Sequence, residues 1–327
     1  MGSLLKTEKS RYTSWKKDTK YLSLNAKKDG LFRGTKRAFC IPKELSEENI
    51  YEEVRDEAIS FFGEYQINWH QGINKKPSNH LCDSQVCCVN FLFPWSDNPD
   101  ALAMLFKRYY PDLKRMLPIE GGRYVTFEYI GQENYLKENG AANGKRTRGA
   151  NYTSADAAIM FEKENELRQI VLIEWKYTES YTRTSLKQAK SGTSRKEIYE
   201  WLYDAPDTII NKNVITEFGD LFYEPFYQLM RQQFLANEME KAEELGADIV
   251  SILHISPECN KELRTITSPN LVENGKDVFI KWSDIINNKD RFRSIHTEDL
   301  FGGMDYQKTP DLIDWWNYII DRYNVIV

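Results

Sequence analysis

The sequence predicts a single α/β domain in which helices surround a buried sheet. Two changes of pattern along the chain predict this class. Apolar residues follow a helical period before residue 111, and β-rich or wholly apolar runs begin at residue 124. Helical patterns then alternate with further strand-like runs, and no repeat or linker divides the chain. We therefore expect one sheet-centred core with helical additions at both ends.

The predicted helices carry an apolar stripe or are apolar throughout. Ser46 is placed to cap the first helix and Ser78 the second, while Pro111 ends the third. Residues 1–30 are rich in lysine and weakly patterned, which indicates an extended or loosely docked arm. The predicted helices cover residues 45–62, 80–93, 101–110, 185–203, 224–245 and 312–323.

The predicted strands are apolar runs with few interruptions, which is typical of strands buried on both faces. A loop rich in glycine, asparagine and basic residues, 138–152, separates the first two strands. The polar stretch 162–166 forms a turn between the second and the third. The predicted strands cover residues 124–130, 156–161, 170–175, 248–255 and 276–282.

Composition excludes several classes of protein. Lys and Arg number 44 against 49 Asp and Glu, so the net charge is −5. That balance argues against a protein that coats nucleic acid through its overall charge, although it allows a local basic groove. No apolar stretch is long enough to span a membrane, and the first residues lack the apolar core of a signal peptide. We expect a cytoplasmic protein with no membrane partner.

The cysteines and histidines do not indicate a disulfide framework or a zinc site. The five cysteines are odd in number, none are spaced C-x-x-C, and three fall in one apolar segment. We expect them to be buried, reduced thiols. The four histidines show no ligand spacing, which disfavours a zinc hydrolase.

One cluster of charged residues interrupts the predicted strands. Glu174 lies within the run IVLIEW, and Asp156 begins the preceding strand. If the intervening turn centres on Asn165, antiparallel pairing places Asp156 opposite Glu174, with Cβ atoms about 4.5–5.5 Å apart. Strand alternation puts Lys176 on the same face as Glu174. Two carboxylates beside an ammonium suit the binding of Mg²⁺, with a lysine close to the site of reaction.

The acid-x-Lys spacing alone is common, and the chain holds two further copies, Asp18-Thr19-Lys20 and Asp112-Leu113-Lys114. The first copy lies in the lysine-rich arm and the second follows a helical pattern, so neither interrupts a buried strand. An uncompensated charge inside such a strand is costly, which favours a functional role for Glu174. The alternative is a salt bridge between Glu174 and Lys176 at a fraying strand end.

The run TSADAAIMF…IVLIEWKYTESY resembles the PD-(D/E)XK nuclease superfamily, also called restriction-endonuclease-like. The likeness is to a branch with H-L-x-x-S-Q in an upstream helix, here residues 80–85, and E-W-K-Y-T-E-S-Y at the core. It is strongest over residues 120–182. The resemblance implies a mixed central sheet flanked by helices. Ala155 stands where the family has the proline of its name, and proline is not a metal ligand.

By this resemblance, Asp156 and Glu174 are metal ligands, and the carbonyl of Trp175 completes the coordination shell. Lys176 would orient the attacking water or stabilise the negative charge that develops at phosphorus. The implied cofactor is Mg²⁺, for which Mn²⁺ is expected to substitute. Glu128, an acid inside the strand YVTFEYI, is a candidate for a further ligand. Its alternative is an outward-facing residue of an edge strand.

Several polar residues allow both a structural and a functional interpretation. For Gln85 and His80, in the apolar second helix, we favour hydrogen bonding within the core over a position facing the metal site. Gln228 and Arg231 could reach a phosphate, or form a helix face that pairs with nearby acids. Three tyrosines could stack on bases or pack in the core: Tyr177, Tyr181 and Tyr199.

Two basic clusters flank the proposed site in the sequence, which is the placement that phosphate contacts need. The alternative for both is a solvated loop and a solvated helix face. The candidate nucleic-acid contacts are Lys145, Arg146, Arg148, Arg183, Lys187 and Arg195.

The sequence therefore predicts a Mg²⁺-dependent phosphodiesterase that cuts DNA as an endonuclease. We expect one nuclease-like domain over residues 31–327, with a helical part at 31–118, a catalytic core at 119–260 and a C-terminal strand and helix at 261–327. Two alternatives stay open: a nuclease fold that binds nucleic acid without turnover, and an enzyme that acts on RNA. The oligomeric state is open too, with a homodimer among the options.

Overall fold

A mixed sheet of six strands forms the centre of the molecule. The computed structural model describes residues 2–138, 146–150, 152–189, 192–215, 217–324 and 326–327. Along the chain, the sheet strands are β3 (Leu113–Leu117), β4 (Val125–Tyr129), β5 (Ala155–Lys163), β6 (Arg168–Trp175), β7 (Ile249–Ser256) and β8 (Phe292–His296), and they follow a small hairpin of β1 (Gly30–Phe32) and β2 (Thr35–Arg37).

The sheet is antiparallel on one side of β6 and parallel on the other. β3 and β4 both pair with β5, which pairs with β6, and these contacts are antiparallel. β7 joins β6 in parallel, and β8 joins β7 in parallel. The predicted mixed sheet flanked by helices is confirmed.

The register of the central strands matches the sequence prediction. Ala157 lies opposite Ile173, and the next residues on the same register are Asp156 and Glu174. On the other side of β5, Phe127 pairs with Ala157 and Tyr129 with Ala155. The three strands β4, β5 and β6 therefore bring three acids to one level of the sheet.

Helices cover both faces of the sheet and enclose two hydrophobic cores. Odd-numbered β6 residues such as Ile173 and Trp175 point into the first core, and even-numbered ones such as Leu172 into the second. The first core receives α1 (Ser3–Asp18), α2 (Glu52–Glu64), α3 (Ser84–Leu92), α4 (Pro99–Lys107), α8 (Thr297–Phe301) and α9 (Ile313–Tyr323). The second receives α5 (Arg195–Asp204), α6 (Phe226–Lys241) and α7 (Val278–Ile285).

The sequence pattern suggested that the lysine-rich N-terminal segment is an extended or loosely docked arm. The structure contradicts this prediction. Residues 3–18 form α1, whose buried face consists of Leu4, Glu8, Tyr12 and Lys16 at every fourth position. The buried charges have partners: Arg11 and the Tyr177 hydroxyl donate to Glu8, and the Lys16 ammonium donates to the carbonyls of Lys28 and Cys40. A pattern search that counts charged residues as exposed cannot find this face.

Residues 276–282 form no strand, contrary to the prediction. Asp277 caps the helix α7 there, because its carboxylate accepts hydrogen bonds from the amides of Phe279 and Ile280. A short apolar run does not distinguish a buried strand from a buried helix. The C-terminal strand is β8 instead, and both it and β3 escaped the sequence analysis.

Several helix boundaries also differ from the predictions. Ser46 lies inside a 3₁₀ segment, Lys43–Asn49, and caps nothing. Asp83, not Ser78, caps α3 by accepting from the amide of Val86 at 3.0 Å. The helix predicted to start at residue 185 begins at Arg195.

The predictions about buried cysteines and about membrane-spanning segments can also be compared with the structure. Four of the five cysteines are buried, as expected, whereas Cys259 is exposed. Within the described part of the chain, no helix is long and apolar enough to cross a membrane.

The docking of α1 predicts a large stability effect at Tyr12. This side chain is fully buried, packs edge-on against Trp15 and Tyr323, and shares a hydrogen bond with the Tyr177 hydroxyl. We expect Tyr12→Ala to lower the free energy of unfolding by about 3–5 kcal/mol, as large-to-small substitutions of buried aromatic residues do. Urea denaturation measures the change.

Leu24→Ala is the control for the same N-terminal segment, because the Leu24 side chain is 85% exposed. It should change the unfolding free energy by less than about 0.5 kcal/mol. If Tyr12→Ala also changed the free energy of unfolding by less than this amount, α1 would not be packed as described.

Candidate active site

Three charged side chains meet where β5 begins and β6 ends. The Lys176 ammonium forms an ion pair with Glu174 Oε1 and lies 3.6 Å from Asp156 Oδ2. Glu174 is buried, and Asp156 is partly exposed. The sequence prediction that the strand register would bring these residues together is confirmed. The alternative interpretation was a salt bridge between Glu174 and Lys176 at a fraying strand end. This salt bridge is also present, but it lies within the cluster.

A third acid, Glu128, reaches the same level from β4. Its φ is +47°, a left-handed value that a non-glycine residue rarely adopts. The break in strand alternation sends Phe127 into the first core and Tyr129 into the second. Glu128 is buried and not an outward edge residue. Backbone strain of this kind is concentrated at functional sites.

Protein donors hold the Glu128 carboxylate on both oxygens. The Gln85 amide donates to Oε1 at 2.6 Å, and the Ser154 hydroxyl donates to Oε2 at 2.8 Å. Gln85 is itself fixed, because its amide nitrogen donates to the Asn68 carbonyl and its oxygen accepts from the His70 amide. Gln85 thus combines the structural role that we favoured with direct contact to a site acid.

Backbone and helix groups orient the other two acids. The amide of Trp175 donates to Asp156 Oδ2 at 2.7 Å. From α6, the Gln232 side-chain amide donates to Glu174 Oε2 and, at 3.0 Å, to the carbonyl of Ser154. The Ser84 hydroxyl lies 3.4 Å from the Trp175 carbonyl that the family resemblance assigns to the metal.

The acids and the lysine shift one another's proton affinity. Burial raises the pKa of Glu174, the nearby charge of Asp156 raises it further, and Lys176 opposes both. Burial likewise raises the pKa of Glu128 and of Asp156. Burial alone would lower the pKa of Lys176, but the carboxylates of Glu174 and Asp156 raise it well above its ordinary value. Strong coupling in a cleft is typical of functional sites.

The cluster opens into a cavity of about 300 Å³. Asp156, Glu128 and Lys176 line it together with Arg231 and Gln228 of α6. A second cavity of about 490 Å³ shares His70, Ser84 and Glu179 with the first, so the two adjoin. The acids therefore lie at the side of a groove large enough for a small ligand or part of a polymer.

No group of three or more His, Cys, Asp or Glu side chains in the described ranges is arranged to hold a metal ion. In the arrangement described, the Lys176 ammonium and the donors above contact both oxygens of Glu128 and of Glu174, and Oδ2 of Asp156. The assignment of Asp156, Glu174, Trp175 and Glu128 as metal ligands stays a prediction.

The first basic cluster lies beside β4, where its side chains bond to the protein. Arg148 donates to Glu120, to the Thr126 hydroxyl and to the carbonyl of Glu128. Arg146 donates to the carbonyls of Ile130 and Gln132, both at 2.7 Å. Lys145 lies outside the described residues.

The second basic cluster follows β6. Arg183 and Lys187 are exposed, and Arg195 is partly exposed at the start of α5. The Arg195 guanidinium donates to the carbonyl of Leu186 at 3.2 Å. Their contacts with nucleic acid, like those of the first cluster, stay predictions.

The structure decides between the interpretations of several other polar residues. His80 lines the second cavity and not the first, and its ring Nδ1 accepts from the Cys82 amide. Tyr177 and Tyr199 are buried, whereas Tyr181 is partly exposed and lines the second cavity. Packing in the core is therefore the correct interpretation for the first two.

Sequence reasoning missed Ser154 and Gln232, which contact the site acids. Ser154 is a small polar residue two positions before Asp156, and nothing in its type suggested a role. Gln232 and Gln233 are consecutive amides on an otherwise apolar face of α6, and both are buried. Buried amides need partners, so that pair was the available signal.

Comparison with known proteins places the chain in a family. A family model described as Restriction Endonuclease associating with ARP matches residues 8–324, a range that includes every candidate site residue. No curated protein and no solved structure gave a match. On the extent of that one match, the chain belongs to the family of restriction endonucleases associating with ARP.

Proposed function

We propose that this protein is a metal-dependent nuclease of the PD-(D/E)XK type that hydrolyses DNA phosphodiester bonds. The observation that carries the proposal is the meeting of Asp156, Glu174 and Lys176 at the ends of two paired central strands. Membership of a restriction endonuclease family supports a nuclease-like function. The dependence on Mg²⁺, the DNA substrate and the endonucleolytic mode are our proposals.

The donor set of the cluster fits a hard divalent cation. Carboxylate and carbonyl oxygens are the ligands that Mg²⁺ prefers. Asp156 and Glu174 share the ammonium of Lys176, and burial raises the pKa of all three acids, so a further positive charge would stabilise their ionised forms. Asp156, Glu174 and the Trp175 carbonyl would hold Mg²⁺, with Glu128 as a further candidate. When bound, the cation would supply Lewis-acid polarisation of the phosphoryl oxygen and a more acidic water.

Lys176 is placed to act on the phosphate itself. Its ammonium contacts both acids and lines the cavity. From there it would donate a hydrogen bond to the attacking water or to a non-bridging oxygen, where negative charge develops. A preoriented donor inside a partly dehydrated site stabilises such charge far better than water does.

The groups around the acids keep them oriented between turnovers. Gln232 holds Glu174, and the Trp175 amide holds Asp156. Gln85 and Ser154 hold Glu128. Glu128 and Asp156 line the cavity, and all three acids are held in place before substrate arrives, which reduces the entropy lost on reaching the transition state.

DNA would approach past the two basic clusters. Arg183 and Lys187 are exposed and free to meet phosphates on the surface. Arg148 and Arg146 hold the β4 end of the site, so they would act on DNA chiefly by fixing Glu128 and its neighbours. The net charge of −5 is consistent with weak, salt-sensitive binding confined to this region.

One observation favours a second candidate function, a nuclease fold that binds nucleic acid without turnover. The Lys176 ammonium already neutralises part of the acid pair, and the described residues show no ready-made metal group. In that case Lys176 would replace the cation permanently. Hydrolysis of RNA by the same residues is a third option, which a panel of substrates at fixed Mg²⁺ separates from DNA cleavage.

Substitution of Lys176 tests the proposed catalytic role. We expect Lys176→Met to lower kcat by at least about 100-fold, the loss typical of removing one donor from a transition-state oxyanion. DNA binding should change little, because the basic clusters are untouched, and the melting temperature shows whether the variant stays folded. Cleavage of plasmid DNA in Mg²⁺, with a binding assay and thermal denaturation, measures all three.

Lys114→Met is the matched control. Lys114 ends one of the two further Asp-x-Lys copies and pairs with Glu162 at 2.9 Å, at the opposite end of the β5–β6 hairpin. It should cut as the wild type does. A Lys176→Met variant that also cut at the wild-type rate would overturn the assignment.

Mg²⁺ titration separates the enzyme from the inactive module. A ligand that binds the folded state alone stabilises it by about 2.7 kcal/mol at 100 times its dissociation constant. We expect this rise in the wild type and its loss in the double variant Asp156→Asn/Glu174→Gln. Thermal denaturation with and without Mg²⁺ records it.

Glu162→Gln controls for the removal of an acid from β5, since Glu162 pairs with Arg115 at 2.7 Å far from the cluster. This variant should keep the wild-type response to Mg²⁺. An equal response in all three proteins, or none in any, would favour the inactive module.

A further inference from the structure

Arg231 on α6 is a cation of the cavity that the acid cluster does not use. It lines the cavity together with Lys176 and Asp156. Its guanidinium donates to the Thr153 hydroxyl at 3.2 Å and lies over the Tyr227 ring, 4.6 Å from the centroid. Its Nε is buried and has no hydrogen-bond partner among the described residues.

Glu138 and Glu224 act on Arg231 through their charge, but in the described ranges neither carboxylate bonds to it. The Glu138 carboxylate receives three hydrogen bonds, from the Thr153 amide, the Thr153 hydroxyl and the Tyr199 hydroxyl. Glu224 accepts from the Gln228 amide. Glu238 pairs with Lys241 at 2.8 Å.

Within the described ranges, no carboxylate forms an ion pair with Arg231. The sequence left open that Arg231 belongs to a helix face that pairs with nearby acids. In the described ranges, the structure contains no such pairing.

The same contacts fix the direction of the guanidinium. Thr153 donates its proton to Glu138 and can only accept from Arg231, so hydrogen bonds run in one direction from Arg231 through Thr153 to Glu138, which also accepts from Tyr199. The Tyr227 face supports the planar group from the side. A guanidinium has five N–H donors in a planar arrangement, and the one hydrogen bond to Thr153 leaves donors for an anion with two oxygens to offer.

We propose that Arg231 is a phosphate-binding residue of this cavity, and that its guanidinium receives the non-bridging oxygens of a nucleic-acid backbone phosphate. The identity of the ligand rests on the proposed nuclease function, whereas the anion site rests on Arg231 and its contacts. Roles in the cavity are then divided: Lys176 balances the acids and acts at the reacting phosphate, while Arg231 holds the substrate backbone.

Binding without turnover tests the proposal. A short fluorescein-labelled duplex is titrated by fluorescence anisotropy with Ca²⁺ in place of Mg²⁺, and inorganic phosphate is then added as competitor. We expect Arg231→Gln to weaken duplex binding by about tenfold or more, the effect of losing a charge-assisted hydrogen bond. Arg231→Lys, which keeps the charge and loses the fork, should fall between the two.

Lys241→Gln is the matched control, because it removes one positive charge from the last turn of the same helix, outside the cavity. It should bind the duplex as the wild type does. Melting temperatures of all variants verify folding, and the graded response of Arg231→Lys decides the matter if Arg231→Gln is unstable.

Two results would contradict the proposal. One is equal duplex affinity in the wild type and in Arg231→Gln. The other is a variant that loses competition by inorganic phosphate but keeps duplex affinity, since the site would then serve a free phosphate. If the wild type binds the duplex but never cleaves it in Mg²⁺, the proposed nuclease function is wrong. The proposed role of Arg231 is then still tested by the duplex affinity of Arg231→Gln.

Discussion

The repulsion among three carboxylates, two of them buried, is the interaction on which the rest of the site depends. Strand register alone puts Glu128, Asp156 and Glu174 at one level of the sheet. Acids so close in a protein interior cannot all stay charged without compensation. Lys176, with its pKa raised well above the ordinary value, supplies one positive charge. The remaining imbalance is what a divalent cation would relieve.

The surrounding structure can be understood as support for that arrangement. α3 contributes Gln85 to Glu128, and α6 contributes Gln232 to Glu174, so the helices on opposite faces of the sheet each hold one acid. Arg148 lies behind β4 and binds its carbonyls, which stabilises the left-handed Glu128. α6 also brings Arg231 to the cavity, so one helix serves both the acids and the proposed substrate contact.

Some of these features were predictable from sequence, and the failures at the N-terminal helix and around the site have one physical cause. The register of Asp156 against Glu174 followed from a polar turn between two apolar runs, because the turn of a hairpin fixes the register of its strands. The N-terminal helix, Gln232 and the Arg231 network were missed because each depends on polar or charged groups that are buried with distant partners. Tyr177 meets Glu8, and Glu138 meets Tyr199, across long stretches of chain. Hydrophobic patterning does not record such pairings.

A crystal structure of the wild-type protein soaked with Mn²⁺ tests the central claim most directly, because the anomalous signal of the ion locates it without interpretation. We expect one Mn²⁺ ion in contact with the carboxylates of Asp156 and Glu174 and with the Trp175 carbonyl, and Lys176 no longer paired with Glu174. Absence of any ion at the cluster, with the Lys176–Glu174 pair intact, would contradict a metal-dependent nuclease and leave a binding module.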